Sequence, residues 1–432
     1  TRYAIDVGDL KAAPDDQALS ALIATAGARL DADYSAFPTQ KLPDHYFVAL
    51  GDANYFVINE WADRALVVHD GKQGAVPIQR FYQPIDEDIP QYKAAGVSVI
   101  RMQLGLDGTL FFKECDYHQR RGADGVDACF AKATADARAD KWAGQTEMLS
   151  HLNDNPVVQL YVDDAQKWIE LGFHVIVVPF NFSTGSAEPH AGDTPLLHRA
   201  LMEDAGFQQF YPRFVAAVVS EFKKRNLTNF SLQSANEPRF CGDGQRPNKG
   251  DLAKWQAVER AEFDTVRKVA PRLSLISSAI CTAGVSYFDG GRSYAELGNV
   301  MPLHQELDDV TYSLHLYSPG ALFGAGAAND RFKPGTVIHY PYRKLAASSA
   351  ENDGARSLIV DYNKTKIGPK FFDKMFGEIA AFAKTRGVRI MLTETGIPKP
   401  NFGVPREDRI RALRDIIGAS READVPVTYF DA

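Results

Sequence analysis

Asn229-Phe230-Ser231-Leu232-Gln233-Ser234-Ala235-Asn236-Glu237-Pro238 decides how this chain folds. Its first half, Asn229–Gln233, reads as a short apolar strand, and its second half as the turn that ends it. A helical stretch, Ala205–Arg225, precedes it, and another, Leu252–Val269, follows. Then comes a new strand, Leu273–Ser278. Moving outward in both directions, the unit repeats. Strands are expected at Ile78–Tyr82, Val97–Gln103, His174–Phe180, Val310–His315, Val388–Thr393 and Val425–Phe430. Helices are expected at Asp86–Ala95, Val157–Leu171, Tyr294–Glu306, Phe371–Thr385 and Glu407–Ser420. Strands alternating with helices imply a parallel sheet with helices outside it. Seven or eight such units imply an α/β fold of the closed (β/α)8 TIM-barrel type rather than an open sheet. No glycine-rich dinucleotide fingerprint follows any strand.

Residues 1–70 read as an N-terminal extension packing on the barrel, with His45–Leu50 and Tyr55–Asn59 pairing as a hairpin around Gly51-Asp52. Residues 71–432 read as the barrel itself. Its long strand-to-helix connections, 105–150, 181–200 and 317–368, fall on the side where barrel enzymes keep their chemistry.

The 432 residues suffice for a large core, and the net charge of −7 is mildly acidic. Without a basic run, that balance excludes a nucleic-acid surface. No apolar stretch approaches the length of a membrane span. The four cysteines form no Cys-x-x-Cys pair. Two disulfides, 115–129 and 241–281, or four free thiols are the two readings of them. Sequons at Asn181, Asn226, Asn229 and Asn363 read as chance matches, since Asn181 falls at a strand tip and Asn229 at a strand start.

Two glutamates stand at strand tips. Glu237 follows Asn229–Gln233, and Glu394 follows Val388–Thr393 and begins Glu394-Thr395-Gly396. Counting strands, they fall on the fourth and seventh, which face each other across a barrel mouth. A pair of carboxyl groups held on a rigid scaffold is the apparatus for cleaving a glycosidic bond. One protonates the leaving oxygen, and the other attacks the anomeric carbon or activates water. The attacking group must be ionised, and a nearby positive charge favours that state.

These motifs resemble a clan A glycoside hydrolase, most of all glycoside hydrolase family 5, the cellulase-like β-glycanases, over roughly residues 75–430. Asn236-Glu237-Pro238 resembles the acid/base motif after the fourth strand, and Glu394 the nucleophile after the seventh. Gly96-Val97-Ser98-Val99-Ile100-Arg101 resembles the second-strand pattern that ends in an arginine beneath the nucleophile. His315-Leu316-Tyr317 resembles the family's His-x-Tyr. The resemblance implies that Asn236 bonds the sugar 2-hydroxyl, that His315 holds Glu237 or a sugar hydroxyl, and that Tyr317 donates to Glu394. It also implies a retaining reaction needing no metal or organic cofactor.

The chain departs from the family twice. Where the family shows a histidine after strand three, this chain has Asn181, a candidate polar contact. Where the family carries a stacking tryptophan after strand eight, this chain has Tyr429 and Phe430, either of which could stack on a sugar. Trp142, in the second connection, is a candidate sugar platform or a loop anchor. His174 stands at a strand start and reads as structural.

The leading reading is therefore a retaining β-glycosidase acting on a poly- or oligosaccharide. β-Glucan comes first as substrate, with β-mannan or a bacterial exopolysaccharide behind it. A transglycosylase would use the same glycosyl-enzyme intermediate. A glycan-binding barrel without activity would have lost one carboxylate, and both are present. A metal hydrolase would want a His-x-His on an early strand, and the chain has none. Polymer substrates lie outside the cytoplasm, so a secreted or periplasmic monomer is expected.

Overall fold

A computed structural model describes residues 47–50, 99–111, 125–181, 196–238, 250–280, 294–317, 319–323, 332–333, 335–397 and 403–430. Seven strands form one curled parallel sheet: β2 (Val99–Gly105), β3 (His174–Asn181), β4 (Phe230–Gln233), β5 (Leu275–Ser278), β6 (Val310–Leu316), β7 (Arg389–Thr395) and β8 (Val427–Phe430). Each pairs with the next in chain order. An eighth strand, β1 (Phe47–Leu50), pairs in parallel with β2 on one side and β8 on the other, so the strand order closes on itself.

The first strand differs from the sequence expectation. Ile78–Tyr82 lies outside the described residues, and the strand that joins the sheet is Phe47–Leu50, read from sequence as a hairpin arm. A division at residue 70 therefore falls inside the connection from β1 to β2. A run of four apolar residues carries no periodicity that separates a buried parallel strand from a hairpin arm, which is why sequence misassigned it.

The helices lie outside the sheet: α1 (Pro156–Glu170), α2 (Ala205–Lys224), α3 (Asp251–Val269), α4 (Pro369–Arg386) and α5 (Arg406–Glu422). Their starts follow from local chemistry. The Asn155 side-chain carbonyl oxygen accepts from the backbone of Val157 and Val158 at 3.0 and 3.2 Å, with Pro156 in the first turn. The Asp204 carboxylate does the same for Gly206 and Phe207. Gly387, at φ 64°, ends α4 in the left-handed conformation glycine adopts freely. Further helices form within the long connections, the longest of them Gly125–Ala139 and Asp353–Thr365. The helix expected over Tyr294–Glu306 is only a short 3-10 helix, Tyr294–Asn299. Pro302 has no N–H to donate to a continuing helix.

The core has two parts. The larger lies between sheet and helices; the smaller, Val99, Ile176, Val178, Ile276 and Met391, fills the inside of the sheet. Register sets four of them beside polar residues of the neighbouring strand: Arg101 pairs Ile176, Gln103 pairs Val178, Gln233 pairs Ile276, and Ser313 pairs Met391. Side chains alternate in facing along a strand. Above the apolar layer, the interior positions are therefore Arg101, Gln103, Gln233, Ser278, Ser313 and His315. A fully covered parallel sheet ordinarily reads as unbroken apolar strands. Here polar residues interrupt the C-terminal halves, and these build the site.

Low down on β3, His174 is wholly buried and fixed by Asn229 (Nδ1 to Oδ1, 2.9 Å) and Ser231 (Nε2 to Oγ, 2.8 Å). Burial pushes it down to about 4, so the imidazole stays neutral and structural. Among the described residues, no helix is long and apolar enough to cross a membrane.

Candidate active site

Strand β2 contributes the cation. Arg101 is wholly buried, and its guanidinium divides among three partners. Nη1 meets Glu394 Oε1 at 2.6 Å, Nη2 donates to Asn236 Oδ1 at 2.8 Å, and Nε donates to Gln233 Oε1 at 2.6 Å. One side chain thus ties the tip of β4 to the tip of β7. The planar guanidinium is suited to that task, since its donors point outward in fixed directions.

Glu394 faces inward because β7 is irregular. Leu314 pairs Leu392, but the next pair is His315 with Glu394, so one residue is skipped on β7. Strict alternation from Met391 would have put Thr393 into the mouth. The bulge turns Glu394 in instead, a common use of an extra residue beside a site. Oε1 also accepts from Gln103 Nε2 at 3.1 Å, and Oε2 accepts from the Tyr317 hydroxyl at 3.1 Å.

Glu237 sits on the turn after β4 at φ 44°, in the left-handed region that a side chain ordinarily avoids. Such backbone strain persists where the surroundings over-determine it. The turn is anchored where Asn236 N donates to Phe180 O at 2.8 Å, joining the ends of β3 and β4. His315 Nδ1 lies 2.7 Å from Glu237 Oε1 and 3.3 Å from Glu394 Oε2, between the two carboxyl groups. The ligand atoms of Glu237, His315 and Glu394 all lie within 4.8 Å of one another.

The same spacing could hold a metal ion, and among the described residues this trio is the one group that could. Arg101 already sets a full positive charge 2.6 Å from Glu394, which repels a dication placed beside the same carboxylate. The ion pair and the hydrogen bonds fit a pair of working carboxyl groups better than a metal cage.

Arg101, Asn236, Glu237, His315, Tyr317 and Glu394, all read from sequence, therefore converge. Trp142 does not join them. It is wholly buried at φ 63°, packed on Phe207 and Phe210 with ring centroids 4.4 and 6.0 Å away. Its indole N–H donates to Asp204 at 3.1 Å. It anchors the second connection to the start of α2 and offers no face to a sugar. Asn181 ends β3 opposite Gly105, and Tyr429 and Phe430 end β8; the side chains of Asn181, Tyr429 and Phe430 lie outside what the structure describes. So do Cys115, Cys241, Cys281 and the side chain of Cys129, and with them the choice between two disulfides and four free thiols.

Sequence reading missed Gln103 and Gln233. Each stands two residues from another polar position on its strand: Gln103 from Arg101, and Gln233 from Ser231. That period of two was the available signal.

Tyr317 gives a prediction at once. Desolvation first, and then the charges of Glu394 and Glu237, push its phenol well above the ordinary range, so it remains a proton donor at every working pH. Tyr317→Phe removes one hydrogen bond to a charged group, worth about 1.5–3 kcal/mol. The expected result is a kcat/KM lower by roughly 10- to 100-fold, with the alkaline limb of the pH–rate profile unmoved. An alkaline limb that disappears in the variant would show that Tyr317 itself titrates.

No protein-family model matches the chain, and no curated protein matches it. Solved structures do. Cellulose synthase subunit Z of Clostridioides difficile is 12% identical, with 81% of this chain and 85% of that one covered and a TM-score of 0.48. Cel5A of Thermotoga maritima, solved with mannotriose, is 10% identical over 81% and 83% of the two chains, with a TM-score of 0.47. A Bacteroidetes-affiliated family 5 cellulase linked with a polysaccharide utilization locus is 13% identical over 81% and 75%, also at 0.47.

Proposed function

We propose that this chain is a retaining glycoside hydrolase of the β-glycanase kind, built on a complete (β/α)8 barrel whose first strand is Phe47–Leu50. The observation that carries the reading is the pair Glu237 and Glu394, at the tips of β4 and β7, with carboxyl oxygens within 4.8 Å. Retaining enzymes hold their two carboxyl groups about 5–5.5 Å apart, whereas inverting ones need roughly 6.5–9.5 Å to admit a water.

Glu394 is the nucleophile. Arg101, Gln103 and Tyr317 converge on it with an ion pair and two hydrogen bonds, three donors that fix both of its oxygens for attack. Glu237 is the acid/base. Glu394 attacks the anomeric carbon as Glu237 gives its proton to the departing oxygen. Glu237 then takes a proton from water, which releases the sugar from Glu394 with overall retention. Asn236, oriented by Arg101, donates to the sugar 2-hydroxyl, a bond that strengthens at the transition state. No cofactor enters this scheme. β-Glucan is the first substrate we propose, with β-mannan next, and a polymer substrate places the enzyme outside the cytoplasm.

The test is a panel of β-glucans, β-mannans and aryl β-glycosides, with the first-formed anomer followed by proton NMR. A β-anomer formed before mutarotation supports retention. An α-anomer formed first overturns it, and binding without release from any member leaves a sugar-binding protein instead.

A further inference from the structure

Between α3 and the sheet lies a second set of buried acids, Glu259 and Glu262, both wholly buried. Burying a carboxyl group is costly, and an apolar residue would fill the same space. Among the described residues, no lysine or arginine pairs with Glu259. Four donors meet it instead. Oε1 accepts from Ser234 Oγ at 2.5 Å and from the Ser278 backbone at 2.8 Å. Oε2 accepts from Ser277 Oγ at 2.8 Å and meets His304 Nε2 at 2.7 Å. Burial, and then the charge of Glu259, push the Glu262 carboxyl well above its usual range, so Glu262 stays protonated and Glu259 takes the donors.

These bonds run directly into the turn that carries Glu237. Ser234 starts that turn, and its carbonyl accepts from the Tyr211 hydroxyl at 2.5 Å. Ala235 O accepts from Ser278 Oγ at 2.5 Å and from Gln233 Nε2 at 3.2 Å. Asn236 is held by Phe180 and Arg101. Each residue from Ser234 to Asn236 is thus pinned, and Glu237 follows at φ 44°.

Resting on the glycosidase reading, we propose that Glu259 is a positioning residue. It fixes Ser234 and Ser278 from behind the sheet and so holds the strained turn that aims Glu237 at the leaving oxygen. Glutamine at this position keeps one acceptor oxygen and places an NH2 group against two donors, so half of the anchorage is lost. Ser234→Ala removes only the direct link and leaves the other three donors in place, so it serves even where the glutamine variant folds poorly.

The experiment compares wild type, Glu259→Gln and Ser234→Ala on two aryl β-glycosides of the sugar identified by the panel, one with a poor and one with a dinitrophenyl leaving group. A good leaving group needs no proton, and general acid catalysis is worth about 10²–10⁴-fold. The expected result is a kcat/KM lower by roughly 10²-fold on the poor leaving group, with the dinitrophenyl glycoside within about 3-fold of wild type. Equal losses on both substrates would reduce Glu259 to a fold element and overturn the proposal. Crystal structures of both variants give a readout that needs no activity. Glu237 should leave its left-handed conformation, and an unchanged backbone in both variants also overturns the proposal. Should wild type cleave neither glycoside, the glycosidase reading fails while the crystal structures still decide whether Glu259 holds the turn.

Discussion

Glu394→Ala should lower turnover of an aryl β-glycoside by at least ~10⁴-fold, with azide restoring much of it as an inverted α-glycosyl azide. The expected size follows from what is removed. Glu394 takes the ion pair from Arg101 and hydrogen bonds from Gln103 and Tyr317, all arranged for an anion that the variant lacks. Alanine leaves a gap of about the size of a small anion, in front of the buried guanidinium that held the carboxylate. Azide bound there attacks from the same face, and no second displacement follows, so the configuration inverts. Glu237→Ala should respond differently. Its glycosyl-enzyme still forms from a good leaving group, and azide replaces water in the second step to give the β-glycosyl azide. Gas or liquid chromatography with NMR of the azide products separates the two cases. If Glu394→Ala turns over normally, or azide yields the same anomer with both variants, then the assigned roles are wrong.

Much of this site was legible because its chemistry needs few residue types in fixed places. A glutamate after a strand is ambiguous alone, but Asn236-Glu237-Pro238 and Glu394 on strands three apart restrict the reading. Arg101, His315 and Tyr317 then acquire partners by strand order. The parts that were not legible share a physical cause: they depend on which way a residue faces. Nothing in Leu392-Thr393-Glu394-Thr395 announces the skipped pairing that turns Glu394 rather than Thr393 inward. Gln103 and Gln233 look like interruptions of apolar strands until register places them inside the sheet. Trp142 left two readings open, a sugar platform or a loop anchor, and the structure takes the anchor. An aromatic residue in a long connection invites a sugar-stacking reading, yet Phe207 and Phe210 bury it. The first strand failed for want of length, since Phe47–Leu50 offers no period to count. The helix expected at Tyr294–Glu306 failed because its apolar spacing outweighed Pro302 in the reading. The Glu259 cluster was hidden for a related reason. On α3 the glutamate resembles any polar helix residue, and only its wholly buried position sets it apart.

Arg101→Met should destabilise the protein by about 3–5 kcal/mol, and part of that loss should vanish when Glu394 is also neutralised. The pair is buried, with side chains 0% and 9% exposed. For such a pair the attraction roughly offsets the cost of taking two charges out of water, so its presence alone adds little stability. Removing one partner is a different matter, because a buried carboxylate is then left without its counter-charge. A methionine side chain would fill similar space without donating to Glu394, Asn236 or Gln233. Loss of the Asn236 and Gln233 bonds occurs whether or not Glu394 is charged. A double-mutant cycle therefore separates the two contributions. Arg101→Met in a Glu394→Gln background should cost about 1–3 kcal/mol less than in wild type, measured by urea unfolding with an unchanged m-value. Equal costs in both backgrounds would mean that Arg101 acts through Asn236 and Gln233 alone, as a brace for the β4 tip. A coupling of the expected size would mean instead that the arginine is kept for the ionised Glu394, and that the fold accepts a buried charge pair because the reaction requires one of its members.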